Sequence, residues 1–310
     1  MWRIGWLTSW CARRKRQEIA TVFRGDGVKK TSKFSPENFN PSDGVTILAG
    51  RGTYPYLCAT RMKEAGVDCS LIASEEADEA IFEIFPEKKR ARYNAGQFGK
   101  LLRRLEFYGS RYALMAGQIA PKKLFHGLKF DLAALKLLAT LRRRNAETIF
   151  GAMATEIERR GVQLLDARAF MDDDLASVGF MTKTQYNRQG LDEGISVAKA
   201  IAALDVGQGV VERKGTILAV EGFDGTDKML RRCKEFNTNQ KWFIKTSKPS
   251  QDFRFDVPVV GLWTLAALAA GGIQAMAVEA KSTILLDREK FLAEADRRCI
   301  GIYGYEFCSS

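Results

Sequence analysis

Val45-Thr46-Ile47-Leu48-Ala49-Gly50-Arg51-Gly52-Thr53-Tyr54-Pro55 is the stretch that decides the fold class of this chain. Val45 to Ala49 is a short, mostly apolar run closed by glycine, too brief for a helix and suited to a strand covered on both faces. Behind it, Pro55 stands in the first turn of a helix expected over 54–64, and Gly66 is placed to stop that helix. A second apolar run over 67–73 predicts another strand. Strand, helix and strand at this spacing make a βαβ unit, whose two strands run parallel.

The alternation continues outward. Helices are expected over 97–108, 132–143 and 146–160, with strands over 112–115 and 162–165. At Asp172-Asp173-Asp174 the apolar periodicity lapses, which marks a domain boundary. Beyond it, helices are expected over 191–204, 227–234 and 262–270, with strands over 209–212, 216–220, 242–245 and 273–278. Arg213-Lys214-Gly215 reads as a hairpin turn. The organisation is therefore a basic extension over 1–42 outside the fold, a first α/β domain over 43–171 with a mainly parallel sheet, and a second over 172–310.

Composition narrows the chemistry. The 310 residues include one histidine, His126, so sites built from several imidazoles cannot be assembled and any metal must be held by carboxylates. The six cysteines contain no CxxC pair and are too sparse for a disulfide-stapled fold, which points to reduced thiols in the cytosol. The net charge of +11 is uneven: residues 1–40 carry nine basic and three acidic side chains, residues 101–160 twelve and five. A polyanionic partner fits this, whether nucleic acid, an anionic membrane face or a phosphate-rich ligand, and so does a solvated basic face. The uncharged stretch 257–278 contains Pro258, Gly271 and Gly272 and reads as a buried helix and strand, not a membrane span. Near the start, the cluster at 13–16 follows the apolar run, the wrong order for a secretory signal.

Four constellations carry chemistry. Gly50-Arg51-Gly52, between strand and helix, is either a phosphate loop or a tight turn. Gly96-Gln97-Phe98-Gly99-Lys100 opens the next helix and either offers an amide donor and a lysine to a uridine or phosphate oxygen or is a glycine-rich helix entry with a solvated lysine, the reading that the sequence alone slightly favours. Gln208 precedes the hairpin, and Glu221-Gly222-Phe223-Asp224-Gly225-Thr226-Asp227 follows it. Three carboxylates within seven residues suit a hard cation completed by waters and substrate phosphates, although aspartates also cap helices. The loop after the 242–245 strand carries Lys245, Lys248, Gln251, Asp252 and Arg254, at the edge where α/β sheets bind ligands. Glu279 and Asp287 are lesser candidates.

In this order the motifs resemble the LpxI-type UDP-2,3-diacylglucosamine pyrophosphatases of lipid A biosynthesis. The runs are AGRG (49–52), GQFGKLLRRL (96–105), LMAGQI (114–119), LDVGQGVV (204–211), LAVEGFDGTDKMLRRC (218–233), KPSQDFRFDVPVVG (248–261) and AVEAKSTILLDRE (277–289). The resemblance implies a Rossmann-like first domain, a second α/β domain and a ligand cleft between them. It implies Mg²⁺ or another divalent cation such as Mn²⁺, and hydrolysis of the substrate's diphosphate to UMP and 2,3-diacylglucosamine 1-phosphate (lipid X). The family's critical aspartate falls in an EGTD motif, here Asp224 to Asp227, which makes Asp227 the residue to test. Three departures stand out: Asp224 replaces the usual glutamate, Gln118 stands where a basic residue is expected, and 182–194 matches poorly.

Together these observations predict catalytic Asp227, Lys245, Lys248 and Arg254. Substrate contacts are expected from Gly50, Arg51, Gly52, Gln97, Gly99, Lys100, Gln208, Gly225, Thr226, Gln251 and Asp252, and metal contacts from Asp227, Asp224 and Glu221. The expected partners are UDP-2,3-diacylglucosamine, an anionic membrane surface at the inner face of the inner membrane, and a second copy in a homodimer. A nucleic-acid-binding module lacks an aromatic-basic interleave, and a nicotinamide oxidoreductase lacks the third glycine of GxGxxG and an acid ending the second strand.

Overall fold

In the computed structural model, the described residues are 32–94, 96–118, 130–142 and 145–307, and His126 and the 13–16 cluster lie outside them. The βαβ unit forms as expected. Strand β1 (Val45–Ala49) is buried throughout, helix α1 (Tyr54–Glu64) crosses over, and β2 (Cys69–Ser74) pairs with β1 in parallel, Val45 opposite Cys69. With β3 (Arg90–Tyr93), β4 (Tyr112–Ala116) and β5 (Gln163–Leu164) they make a five-stranded parallel sheet in the order β3-β2-β1-β4-β5. Alternate side chains feed two cores, which is why the strand sequence is a continuous apolar run. Ile47 packs with Tyr54, Cys58 and Met62 of α1 on one face. Leu48 packs on the other with Leu101 and Leu105 of α2 (Phe98–Tyr108) and Ile157. Helices α3 (Leu132–Ala139) and α4 (Ala146–Arg159) complete that layer, α3 ending before the expected 143.

The second half is a six-stranded mixed sheet. Its order is β6 (Gly179–Phe180), β13 (Gly301–Tyr305), β11 (Ala275–Glu279), β9 (Trp242–Lys245), β7 (Gly209–Arg213) and β8 (Thr216–Val220). Strands β9, β11 and β13 are parallel, while β7 and β8 form the anticipated antiparallel hairpin. At its turn, Lys214 and Gly215 both take positive φ, 49° and 83°, the left-handed pair that matches the twist of two-residue hairpins. Helix α5 (Leu191–Ala203) covers one face. Helices α6 (Thr226–Arg232), α7 (Leu262–Ala270) and α8 (Arg288–Arg297) cover the other. The stretch 257–278 folds into α7 and β11, and among the described residues no helix is long and apolar enough to cross a membrane.

Two expectations change at the boundaries. Residues 32–42 belong to the fold and not to an outlying extension: Ser32–Ser310 form one compact unit, and Phe39 stacks on Tyr112 and Phe170 at centroid distances of 5.1 and 5.7 Å. Two phenylalanines in this Ser/Pro/Asn-rich run supply the apolar area that docks it. The acidic run at 172–174 is also more than a linker. Asp174 is buried, pairs with Arg61 of α1 at 2.6 Å and accepts the Arg288 amide of α8 at 3.3 Å. A short parallel pair, β10 (Val259–Val260) with β12 (Ile284–Leu285), places Ile284 in the first core.

Candidate functional site

The strand order reverses between β1 and β4, and the carboxyl ends at such a switch are where open α/β sheets bind ligands. Gly50-Arg51-Gly52 and Gly117-Gln118 meet there. Arg51 and Gln118 exchange backbone hydrogen bonds of 2.7 and 2.9 Å, and Gln118 Oε1 accepts from Arg51 at 3.5 Å. A Cβ on Gly50 would lie 2.5 Å from the Gln118 carbonyl oxygen, so this glycine is needed for the two loops to touch. Gly52, with φ 104° and nothing near its Cβ direction, is the position open to a ligand. Gly99 is committed elsewhere: its amide donates to Asp131 Oδ2 at 2.8 Å, and its missing Cβ makes room for Ala133. Gln97 caps α2 without a side-chain bond, and Lys100 is exposed beside it.

The second constellation lies at the end of the hairpin. Glu221 closes β8 and turns back under Gly209, where a Cβ would meet its carboxylate at 2.7 Å. Glu221 Oε2 pairs with Lys245 Nζ of β9 at 3.0 Å, and Oε1 accepts from the Thr226 hydroxyl. Burial pushes this carboxyl up, but the Lys245 charge and the Thr226 bond outweigh it and hold Glu221 below the ordinary glutamate range. Lys245 also reaches Thr226 Oγ1 at 3.4 Å, which leaves one of its three N–H groups uncommitted. Asp224 is exposed and pairs with Arg232 of α6 at 3.0 Å. Asp227, in the first turn of α6, is exposed and makes no hydrogen bond or ion pair among the described residues. Gly225, with φ 83°, supplies the left-handed bend between them.

The cationic loop is stitched to the first half. Lys248 pairs with Glu147 at the start of α4 at 2.6 Å and with Asp205, and these acids outweigh its burial and raise its pKa. Arg254 pairs with Asp252 and with Glu158 of α4, each at 2.7 Å. Gln251 accepts the Lys248 amide at 2.7 Å and donates to the Asp256 carbonyl, and Gln208 donates to Asp256 at 3.2 Å. Lys248, Gln251, Asp252 and Arg254 thus shape the loop and dock it on α4. Among the described bonds, none joins Gly50–Gly52 or Gln97–Lys100 to Asp227 or Lys245.

No three His, Cys, Asp or Glu residues among those described converge closely enough to hold a metal ion. Glu221 and Asp224 are neutralised by cations. A hard cation that keeps waters and shares substrate phosphates needs only one or two carboxylates, and Asp227 offers one.

Comparison with known sequences places both halves together. The LpxI N-terminal domain matches residues 44–174 and the LpxI C-terminal domain residues 177–303. The chain belongs to the LpxI family. It is similar to the UDP-2,3-diacylglucosamine pyrophosphatase LpxI of Caulobacter vibrioides, 27% identical over 274 residues that cover 84% of this chain and 96% of that one.

Within this LpxI fold, sequence reasoning named Glu279 as a lesser candidate and missed its buried partner, Lys199. Lys199 of α5 reaches both Glu279 oxygens at 2.8 Å and the Ser247 carbonyl at 3.1 Å. Glu279 also accepts the Ser247 amide at 2.8 Å and the Thr246 hydroxyl at 3.2 Å. These bonds outweigh burial and depress its pKa. The signal was present in α5, where Lys199 falls four residues after Ile195 on the inward stripe.

Proposed function

We propose that this chain hydrolyses the diphosphate of UDP-2,3-diacylglucosamine, giving UMP and 2,3-diacylglucosamine 1-phosphate, at the inner face of the inner membrane. The observation that carries the reading is the pairing state of the hairpin-end carboxylates. Glu221 and Asp224 are spoken for, whereas Asp227 is exposed, makes no hydrogen bond or ion pair among the described residues and directly follows Thr226, a partner of Lys245, in a chain both of whose halves match LpxI domains.

The chemistry is addition of water across a phosphoric anhydride: a new P–O bond forms, the bridging P–O bond breaks, and the departing phosphate carries the electron pair. Asp227 is placed to accept a hydrogen bond from the entering water or to ligate Mg²⁺ or Mn²⁺. Such a cation, when bound, would supply charge neutralisation on the diphosphate oxygens. The remaining N–H of Lys245 would meet the same charge, and the Glu221 and Thr226 bonds hold that lysine in one rotamer. Gly52, with nothing within 4 Å of its Cβ direction, leaves backbone space for a phosphate or uridine group at the carboxyl edge of the first sheet.

Mass spectrometry of products after incubation with UDP-2,3-diacylglucosamine and Mg²⁺, with and without chelator, tests the reading. The expected result is UMP and the sugar 1-phosphate from the unmodified chain, lost on chelation. Asp227→Asn is expected to lower turnover by at least about 100-fold, with its melting midpoint unchanged because the side chain is exposed and makes no hydrogen bond or ion pair among the described residues. Full turnover by that variant would remove Asp227 from the mechanism. Intact substrate with the unmodified chain would point to a binding relative.

A further inference from the structure

Beyond Gly99 and Lys100 at the start of α2, helices α2 and α3 present a face that the candidate site does not use. Helix α3 is apolar on every side except at Lys136, and in a soluble fold such a helix is normally buried. Here Leu132 is 68% exposed, Leu135 51%, and Phe107 near the end of α2 71%. The inward residues of α3, Ala134 and Leu137, meet the core, so the outward leucines are additional apolar surface. Helices α2, α3 and α4 enclose a cleft of about 880 Å³ whose walls include Leu102 and Leu137 and whose rim carries Arg103, Lys136 and Arg159.

Charge separates this face from an ordinary hydrophobic patch. Arg103, Lys136 and Arg142 make no ion pair among the described residues, and Arg104 lies over the Phe107 and Tyr108 rings at 5.2 and 5.8 Å. The nearby acids are committed. Glu106 pairs with Arg160, Glu156 with Arg159 and Arg160, and Asp131 accepts the amides of Gly99 and Ala134 at 2.8 and 2.9 Å. The surplus facing outward is positive and surrounds large apolar side chains.

We propose that the α2–α3 face docks on an anionic phospholipid bilayer. Leu132, Leu135 and Phe107 enter the boundary between headgroups and acyl chains, and Arg103, Arg104 and Lys136 meet headgroup phosphates. Outward leucines between the cations favour lipid over nucleic acid, which would leave them in water. Helix α4 links this face to the candidate site: Thr155 and Arg159 line the cleft, while Glu147 and Glu158 hold Lys248 and Arg254. The proposal deepens the reading of a lipid-linked substrate, but its surface argument stands without it.

Co-sedimentation of the full chain with phosphatidylcholine vesicles, with and without phosphatidylglycerol, is the test, run beside hydrolysis of detergent-dispersed substrate. Preferential binding to the anionic vesicles, weakened by added salt, is expected. The Leu132→Asp/Leu135→Asp variant should bind them at least about ten-fold more weakly, and Arg103→Glu/Lys136→Glu should lose the anionic preference. Both should keep the parent's circular dichroism spectrum and its turnover of dispersed substrate. Unchanged vesicle binding by the leucine variant, or a parent chain that binds duplex DNA and ignores the vesicles, would overturn the proposal. Vesicle binding with no hydrolysis by the parent would instead sink the enzymatic reading and leave the docking face standing.

Discussion

One carboxyl group, Glu212 on β7, gives the second half a pH response of its own. It is fully buried; its Oε2 accepts the Gly215 amide at 2.9 Å and its Oε1 has no partner among the described residues. Burial pushes the carboxyl up from 4.5 to about 7, with only the Gly215 amide opposing and Glu193 adding to the rise. Between those values the folded chain keeps a proton that the unfolded chain releases, so stability falls as pH rises through that window. Glu212→Gln removes this dependence. The stability difference between pH 5 and pH 8, measured by urea unfolding, should shrink by up to about 3 kcal/mol. An unchanged difference would mean that the carboxylate is hydrated in the folded chain. At this scale the sequence announced residue types but not their partners. Carboxylates spaced by glycines were legible around Asp224, whereas the Lys248 to Glu147 pair spans 101 residues and depends on how two sheets meet.

The glycines at the sheet edge show how elements are set against one another. Gly50 and Gly117 let the loops after β1 and β4 exchange hydrogen bonds, and a Cβ at either position would fall within 2.5 to 2.8 Å of opposing atoms. Gly50→Ala is therefore expected to force the loops apart and destabilise the first sheet by about 1–3 kcal/mol. Gly52→Ala meets no atom but must hold a positive φ, so it should cost about 1 kcal/mol. Chemical unfolding of the two variants, compared with the parent, checks the order. Equal effects would contradict the close contact at Gly50. The long elements were legible because β1 and β4 are short continuous apolar runs and the helices between them are set off by Pro55, Gly66 and Gly109. The edge strand Arg90-Ala91-Arg92-Tyr93 was not, since two arginines hide a strand whose pairing to β2 comes from its neighbour. Strand β13 was missed for a related reason: in Gly301-Ile-Tyr-Gly-Tyr305 two glycines interrupt residues that favour a strand, and the strand is held by β11 on one side and β6 on the other.

Across the whole molecule, Asp174 joins what the sequence divides. The run of three aspartates looked like a boundary because its composition is polar, yet the third carboxylate is buried between α1 and α8. Burial raises its pKa in spite of the Arg61 guanidinium at 2.6 Å, so the pair is sustained by position more than by net electrostatic gain. Removing one member of such a pair leaves the other without compensation. Because the Arg61 side chain is one-third exposed, water recovers part of that loss, and Asp174→Ala should cost about 2 kcal/mol, below the usual range for fully buried pairs. The distribution of that cost is the informative part. Ile284 sits in the first core and Val259 and Leu286 pack against it, so apolar contacts also couple the two sheets. If Asp174 supplies an essential share of the coupling, differential scanning calorimetry of the variant will show the parent's transition divide into two, one for each sheet. If the apolar contacts suffice, the variant will melt in one transition at a lower temperature, and the boundary read from composition will be one of sequence alone and not of cooperative unfolding.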